Sequence, residues 1–331
     1  MFLENNSNQL KRILYRFTSY KTIAWTAMNA GVPITEIIKT KYPYYFKDNL
    51  SPISLSVELG NVCNLNCQYC NVPHFSDKRE FMSDLIFEHL ISNLKKGNIN
   101  RIIIVGGEPT LHPNFNHFVK EIRKYTKYLS IVTNAQWKNA DIARTLINTP
   151  FNLVEVSMDA GGKEVYEKSR IGADYELFKS NLKILKDLND SLQKKVLINM
   201  RLMIRPSTRI YLKEEEKKWK KYCNVVMPQN IYSIPETLYE DDVYIPTQQV
   251  KNDYPKCTLP FKELLVKLNG DIPYCQVTGS TISKKRFIAG NLLNKTISEI
   301  WNNDVGLMRN AHRKRCFDFF ATEYCKGCSG C

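Results

Sequence analysis

Residues 53–70 read ISLSVELGNVCNLNCQYC. The first seven alternate serine or glutamate with aliphatic residues, the pattern of an extended strand. Gly60 and Asn61 interrupt it, and Cys63, Cys67 and Cys70 follow at the spacing CxxxCxxC. In parallel β/α folds reactive groups collect on the loop at a strand's carboxyl end, where these three thiols fall.

Outward from this stretch, short β-rich runs recur: RIIIV at 101–105, YLSIVT at 128–133, LVEVSM at 153–158, VLINMRLMI at 196–204 and NVVMP at 224–228. Helical segments are predicted between them, near 84–96, 114–127, 139–148, 174–190 and 211–221. Strands alternating with helices need crossover connections and therefore a parallel sheet. The expected fold class is α/β: a partial (β/α)6 TIM-like barrel over residues 52–230, then a small cysteine-rich α+β domain. Pro235, Pro246, Pro255 and the acidic Glu240, Asp241 and Asp242 mark a linker at 231–253. The small domain, 254–331, opens on a hairpin-like VKLNGDIPYC at 266–275, with Asn269-Gly270 as its turn, and has a helix predicted at 296–311.

The chain has 331 residues, 43% hydrophobic, with a formal charge of +14, enough to bury a large core beneath a basic surface. Its lysines are spread along the chain, which suits solvated helix faces better than nucleic-acid binding. Residues 1–51 are expected to be a basic amphipathic segment. Within residues 8–30, Leu10, Ile13, Leu14, Phe17, Ile23 and Trp25 recur at helical spacing among Lys11, Arg12, Arg16 and Lys21. Packing against the next domain is favoured there over peripheral membrane contact. The N-terminal residues lack the features of a secretory signal, and there is no 18-residue apolar run, so a cytoplasmic location is expected. In a reducing compartment ten cysteines point to metal or redox chemistry rather than disulfides.

Three thiolates on one loop can hold three irons of a 4Fe-4S cluster and leave the fourth open to a chelating small molecule. A closed zinc site, with His74 as fourth ligand, is the alternative. Directly after the second predicted strand stands GGEP, Gly106 to Pro109, where the glycines let backbone approach closely and Glu108 offers an acceptor. Together, CNLNCQYC and GGEP resemble the radical S-adenosylmethionine (SAM) enzymes. The resemblance implies a 4Fe-4S cluster on Cys63, Cys67 and Cys70, with Tyr69 near the adenine and Gly106, Gly107 and Glu108 at the methionine amino group. Ser157, Asp159 and Arg170 resemble positions that bind the ribose and the carboxylate, and Thr133 and Asn134 close the third strand similarly. Cys223 stands alone and is expected to be a buried thiol.

Six cysteines fall at Cys257, Cys275, Cys316, Cys325, Cys328 and Cys331. Gly270 and Cys275 match the GxxxxC of SPASM and twitch extensions, which implies one auxiliary 4Fe-4S cluster on Cys257, Cys275, Cys325 and Cys328, with Cys331 or Cys316 as substitutes and zinc as the alternative.

The resemblance implies reductive cleavage of SAM to a 5'-deoxyadenosyl radical that abstracts a substrate hydrogen, leading to dehydrogenation, bond formation or epimerisation. An electron donor such as flavodoxin or ferredoxin is implied; no general base is legible. Only about 50 residues precede the first strand, which tilts the expected substrate toward a small metabolite (a sugar, nucleoside or similar) and away from a peptide or protein side chain. A non-catalytic zinc or iron-sulfur protein binding nucleic acid is the rival of another class.

Overall fold

The computed structural model describes residues 51–70, 78–97, 99–231, 242, 254, 257–276 and 287–326. The predicted segment at 8–30, His74, Cys328 and Cys331 lie outside them. Six parallel strands occupy the predicted runs: β1 (Ser54–Glu58), β3 (Arg101–Val105), β4 (Tyr128–Thr133), β5 (Leu153–Asp159), β7 (Leu197–Ile204) and β8 (Val225–Asn230). Two-residue strands β2 (Asn66–Cys67) and β6 (Arg170–Ile171) form a separate antiparallel ribbon. Helices α1 (Asp84–Lys96), α2 (Phe115–Arg123), α3 (Asp141–Asn148), α4 (Gly162–Ser169), α5 (Tyr175–Ser191) and α6 (Leu212–Trp219) link the strands.

The main sheet has seven strands in the order β8-β7-β5-β4-β3-β1-β9, every neighbouring pair parallel. The seventh, β9 (Glu263–Val266), is not among the predicted runs and shares only Val266 with the hairpin expected at 266–275. It pairs with β1, Ser54 opposite Glu263 and Val57 opposite Val266. The Asn269-Gly270 turn does form: the Gly270 N–H donates to the Lys267 carbonyl, with Gly270 at φ +83°. Beyond it, however, β10 (Asp271–Pro273) pairs with β11 (Ile288–Asn291). Helix α7 (Ile297–Glu299), opened by a Thr296/Glu299 capping box, continues through a π turn into α8 (Val305–Lys314).

Side-chain alternation sorts each strand into two faces. Leu55 and Val57, Ile102 and Ile104, Leu129 and Ile131, Val154 and Val156, Ile198 and Met200 join one core with Phe87 and Leu90 of α1, Phe118 of α2, Leu146 of α3, Phe178 of α5 and Trp219 of α6. The intervening residues line the opposite, inner face, where polar Ser56, Glu58, Ser130, Glu155, Ser157, Asn199 and Arg201 are mixed with apolar Ile103, Val105 and Val132. Local signals set the helix starts. Ser83 Oγ caps α1 by accepting from the Ile86 N–H, and Asp174 caps α5 by accepting from the Glu176 and Leu177 N–H groups.

Candidate active site

The cysteine loop follows β1 and is gripped on three sides. At the end of β3, the Gly107 N–H donates to the Gly60 carbonyl and the Glu108 N–H to the Val62 carbonyl, both at 2.8 Å. From beyond β4, the Gln136 carbonyl accepts from Asn64 Nδ2 at 2.8 Å. Cys67 in β2 pairs with Arg170 in β6, and the Gln68 N–H donates to the Ser169 carbonyl. The grip explains the glycines. A Cβ on Gly106, at φ +149°, would stand 2.4 Å from the Gly60 carbonyl oxygen, and one on Gly107 2.2 Å from that of Val62. The close approach that GGEP permits is therefore to the cysteine loop's own backbone.

The three thiols are partly buried and sense one another. Burial raises Cys63 above the usual thiol range, reinforced by Glu108 and Cys70. Burial pushes Cys67 up to about 12, with Cys70, Asp159 and Cys63 adding to the rise and Arg170 opposing it. Thiols that burial keeps protonated suit a cationic metal centre, which would hold them as thiolates. Among the described residues no three ligating groups close on a single ion. A cube tolerates that spread, because each thiolate meets its own iron. Two donors already address the Cys63 sulfur: the Leu65 N–H at 3.4 Å and Asn134 Nδ2 at 3.8 Å.

Glu108 is 3% exposed. Its Oε1 accepts from the Thr110 N–H and hydroxyl and from the Thr133 hydroxyl, and its Oε2 from the Asn134 N–H at 2.7 Å. Burial raises its pKa against all four of these bonds. The carboxylate staples the end of β3 to the end of β4; Thr133 and Asn134, expected beside the cofactor, hold it there.

Asp159, at the end of β5, is the hub of a second network. Its Oδ1 accepts from the Tyr69 hydroxyl at 2.6 Å and from Arg170 Nε at 2.7 Å, and its Oδ2 bonds the Ser169 hydroxyl. Arg205, just past β7, donates to Ser169 Oγ at 3.0 Å, and the Arg170 and Arg205 guanidinium groups each sit 5.7 Å from the Tyr69 ring centre. The structure thus unites Tyr69, Asp159 and Arg170 and adds Ser169 and Arg205, which no motif marked. The one available signal for Arg205 was its place at a strand's carboxyl end. Ser157 lies one inner-face position before Asp159, opposite Arg201, whose Nε and Nη2 grip Glu155 Oε2 at 2.9 and 2.6 Å.

In the C-terminal segment Cys257 is buried, and Cys275 and Cys325 are half-buried against the core. Tyr274, Phe287 and Tyr324 form an aromatic wall beside Cys275 and Cys325, with the Phe287 and Tyr324 rings 4.7 Å apart. Cys316 is exposed, and its thiol donates to Asp318. Cys223 is buried, and burial alone pushes it up to about 12, as expected of an inert thiol. His312, which sequence patterns did not mark, lies against Cys325, and burial lowers its pKa to about 4 with help from Arg315.

A family model described as the radical SAM superfamily matches residues 57–203, and one described as an iron-sulfur cluster-binding domain, SPASM, matches residues 257–331. The chain belongs to the radical SAM superfamily. This radical SAM enzyme therefore has a 4Fe-4S cluster and SAM as cofactors, and its SPASM domain carries an auxiliary iron-sulfur cluster. It is 30% identical over 116 residues to a probable GTP 3',8-cyclase from Thermoplasma volcanium, covering 35% of each chain. Over 107 residues it is 32% identical to a tungsten-containing aldehyde ferredoxin oxidoreductase cofactor-modifying protein from Pyrococcus furiosus, covering 32% of this chain and 30% of that one. The matches thus span about a third of these curated relatives. Among solved structures it shares its fold with Streptococcus suis SuiB bound to S-adenosylmethionine (TM-score 0.63, 14% identity, 99% of this chain and 83% of that one) and with anSMEcpe bound to AdoMet and a peptide (TM-score 0.59, 19% identity, 83% and 88%). No helix among the described residues is long and apolar enough to cross a membrane.

Proposed function

We propose that this radical SAM enzyme abstracts a hydrogen atom from a small polar metabolite, with Cys63, Cys67 and Cys70 as the ligands of its SAM-cleaving cluster. The observation that carries this is the single loop bearing three thiols that feel one another's charge, held at the carboxyl end of β1 beside the Asp159–Arg170–Tyr69 network. When bound, the reduced cluster supplies the electron that splits SAM into methionine and a 5'-deoxyadenosyl radical.

The chain's own residues position and seclude. Gly106, Gly107 and Glu108, locked to the cysteine loop, shape the methionine side of the SAM site with Thr133 and Asn134. Ser157 and Asp159 shape the ribose side, and Arg170, neutralised by Asp159, carries the donors facing the carboxylate. The inner face supports a small polar substrate: Glu155 and Arg201 form a charged pair one strand position from Ser157, and Gln276 Nε2 reaches Ser56 Oγ at 2.7 Å across the β1 edge. Such groups reward a ligand that hydrogen-bonds and orient it for attack. In the SPASM domain Cys257, Cys275, Cys325 and Cys328 are the proposed ligands; Cys331 is the better substitute, since the Cys316 thiol is engaged with Asp318.

Anaerobically reconstituted protein is expected to bind roughly eight irons, and Cys67→Ala to lose about half of them. Dithionite and SAM should give 5'-deoxyadenosine, and a deuterated substrate should pass its label into that product. Zinc in place of iron, or no 5'-deoxyadenosine from fully reduced protein, would refute the proposal.

A further inference from the structure

Helix α8 carries a buried imidazole that the chemistry at the cysteine loop does not use. His312 is 1% exposed, and its Nε2 lies 3.6 Å from the Sγ of Cys325. Its Nδ1 is buried and meets no hydrogen-bonding partner among the described residues. The ring is fixed from several directions. Phe317 stands edge-on to it at 5.4 Å and is itself stacked on Tyr254 at 3.8 Å. One turn earlier, Arg309 lies 4.2 Å over the Trp301 ring and donates to the Trp301 and Pro260 carbonyls, anchoring α8 to the segment that follows Cys257.

Proton placement separates the arrangements open to this pair. If Cys325 were a thiol donating to Nε2, the ring proton would sit on Nδ1, a buried donor with no acceptor among the described residues, which is costly. If Nε2 itself ligated a metal, the proton would again be forced onto Nδ1 at the same cost. If Cys325 is a ligating thiolate, Nε2–H donates to it, and Nδ1 keeps only a bare lone pair, the cheaper group to leave unsatisfied.

We infer that His312 donates its Nε2–H to the ligating thiolate of Cys325 and thereby raises the reduction potential of the auxiliary cluster. The inference rests on the proposed ligation of that cluster by Cys325. A donor on a ligand sulfur draws off negative charge and favours the reduced, more negative form of the centre. The substrate radical left by hydrogen abstraction must lose one electron to become an oxidised product; a centre so tuned receives that electron more readily. His312 is thus a positioning and tuning residue of the SPASM domain, acting through Cys325.

The test uses full-length protein in which Cys63, Cys67 and Cys70 are replaced by Ala, so that only the auxiliary cluster contributes to the EPR signal. A redox titration then compares this parent with its His312→Phe and His312→Gln forms. The expected result is an iron content near four per chain in all three, with the potential most negative for Phe and intermediate for Gln, whose amide N–H partly replaces the imidazole donor. A Phe form that keeps its iron and the parent's potential overturns the inference. Loss of iron from the Phe form calls for a second measurement on the parent itself, with 15N-labelled histidine and exchange into D2O. A weak 15N coupling and an exchangeable proton at the cluster support the hydrogen bond; a strong, ligand-type coupling, or none, overturns it. A parent without iron removes the auxiliary-cluster proposal itself, a result distinct from an iron-loaded parent whose potential ignores His312.

Discussion

Asp159 carries two roles in one carboxylate: it neutralises Arg170, and it fixes Tyr69 at the edge of the cysteine loop. Both side chains of the ion pair are almost fully enclosed, 2% exposed for Asp159 and 6% for Arg170. Removing one partner of such a pair leaves an uncompensated buried charge, so Asp159→Ala is expected to cost about 3–5 kcal/mol in urea unfolding; a loss below about 1 kcal/mol would show that Arg205 and Tyr69 relax around the gap. A second expectation concerns the thiols. Because burial favours the protonated forms of Cys63 and Cys67, each, as a proposed ligand, would release a proton on binding iron, and iron uptake by the loop is expected to strengthen as pH rises from about 6 to 8. Uptake that is flat over that window, followed by the cluster's visible absorbance, would contradict it. At this scale the sequence was partly legible. Cys63, Cys67, Cys70 and Glu108, the proposed cofactor residues, stood out by spacing, because a loop of closely spaced cysteines is a local arrangement. Ser169, Arg205, the Glu155–Arg201 pair and His312 carry no spacing signal, since their partners are supplied by strands and helices distant in the chain.

Among the elements, the six strands were readable because each is a short β-rich run separated from the next by a helical stretch, as in RIIIV and YLSIVT. Helix α4 and the β2–β6 ribbon escaped notice. Cys67 and Arg170 are paired by the fold, and a two-residue strand has no period to detect. Strand β9 was not among the predicted runs: ELLV overlaps the hairpin read at 266–275 only at Val266, and its partner is β1, more than 200 residues earlier. Among the described glycines, those at the end of β3 leave the least room, against the cysteine loop. With a Cβ 2.2 Å from the Val62 carbonyl, Gly107→Ala must push the loop away from β3. The expected outcome is roughly 1–3 kcal/mol of lost stability and loss of iron from the first cluster alone, by iron analysis and EPR. Gly306→Ala, whose added Cβ would meet nothing nearer than Arg309 at 3.6 Å, serves as the control that should keep both clusters.

Considered whole, the molecule joins its two cysteine-bearing segments through shared secondary structure. Strand β1 runs between β3 and β9, so the SPASM segment supplies hydrogen bonds to the very strand that leads into the first cysteine loop. The Leu268 N–H also donates to the Glu58 carboxylate at the end of β1, and burial raises the Glu58 pKa against the pull of Lys267. A chain ending before Cys257 would leave the β1 edge bare, and an open, flat edge invites intermolecular pairing. Size-exclusion chromatography of such a truncation is expected to show soluble aggregates; a stable monomer that still loads the first cluster would show the edge to be dispensable.

The partnership of β1 with β9 also limits how such enzymes can be recombined. A graft that exchanged the cysteine-rich tail at the 231–253 stretch would transplant one rung of the host's sheet along with it, and success would turn on whether the donor's ELLV equivalent fits a foreign neighbour. A junction placed after Lys267 leaves that rung at home, and a tail from another lineage would then have to accept the host's Cys257 among its own cysteines.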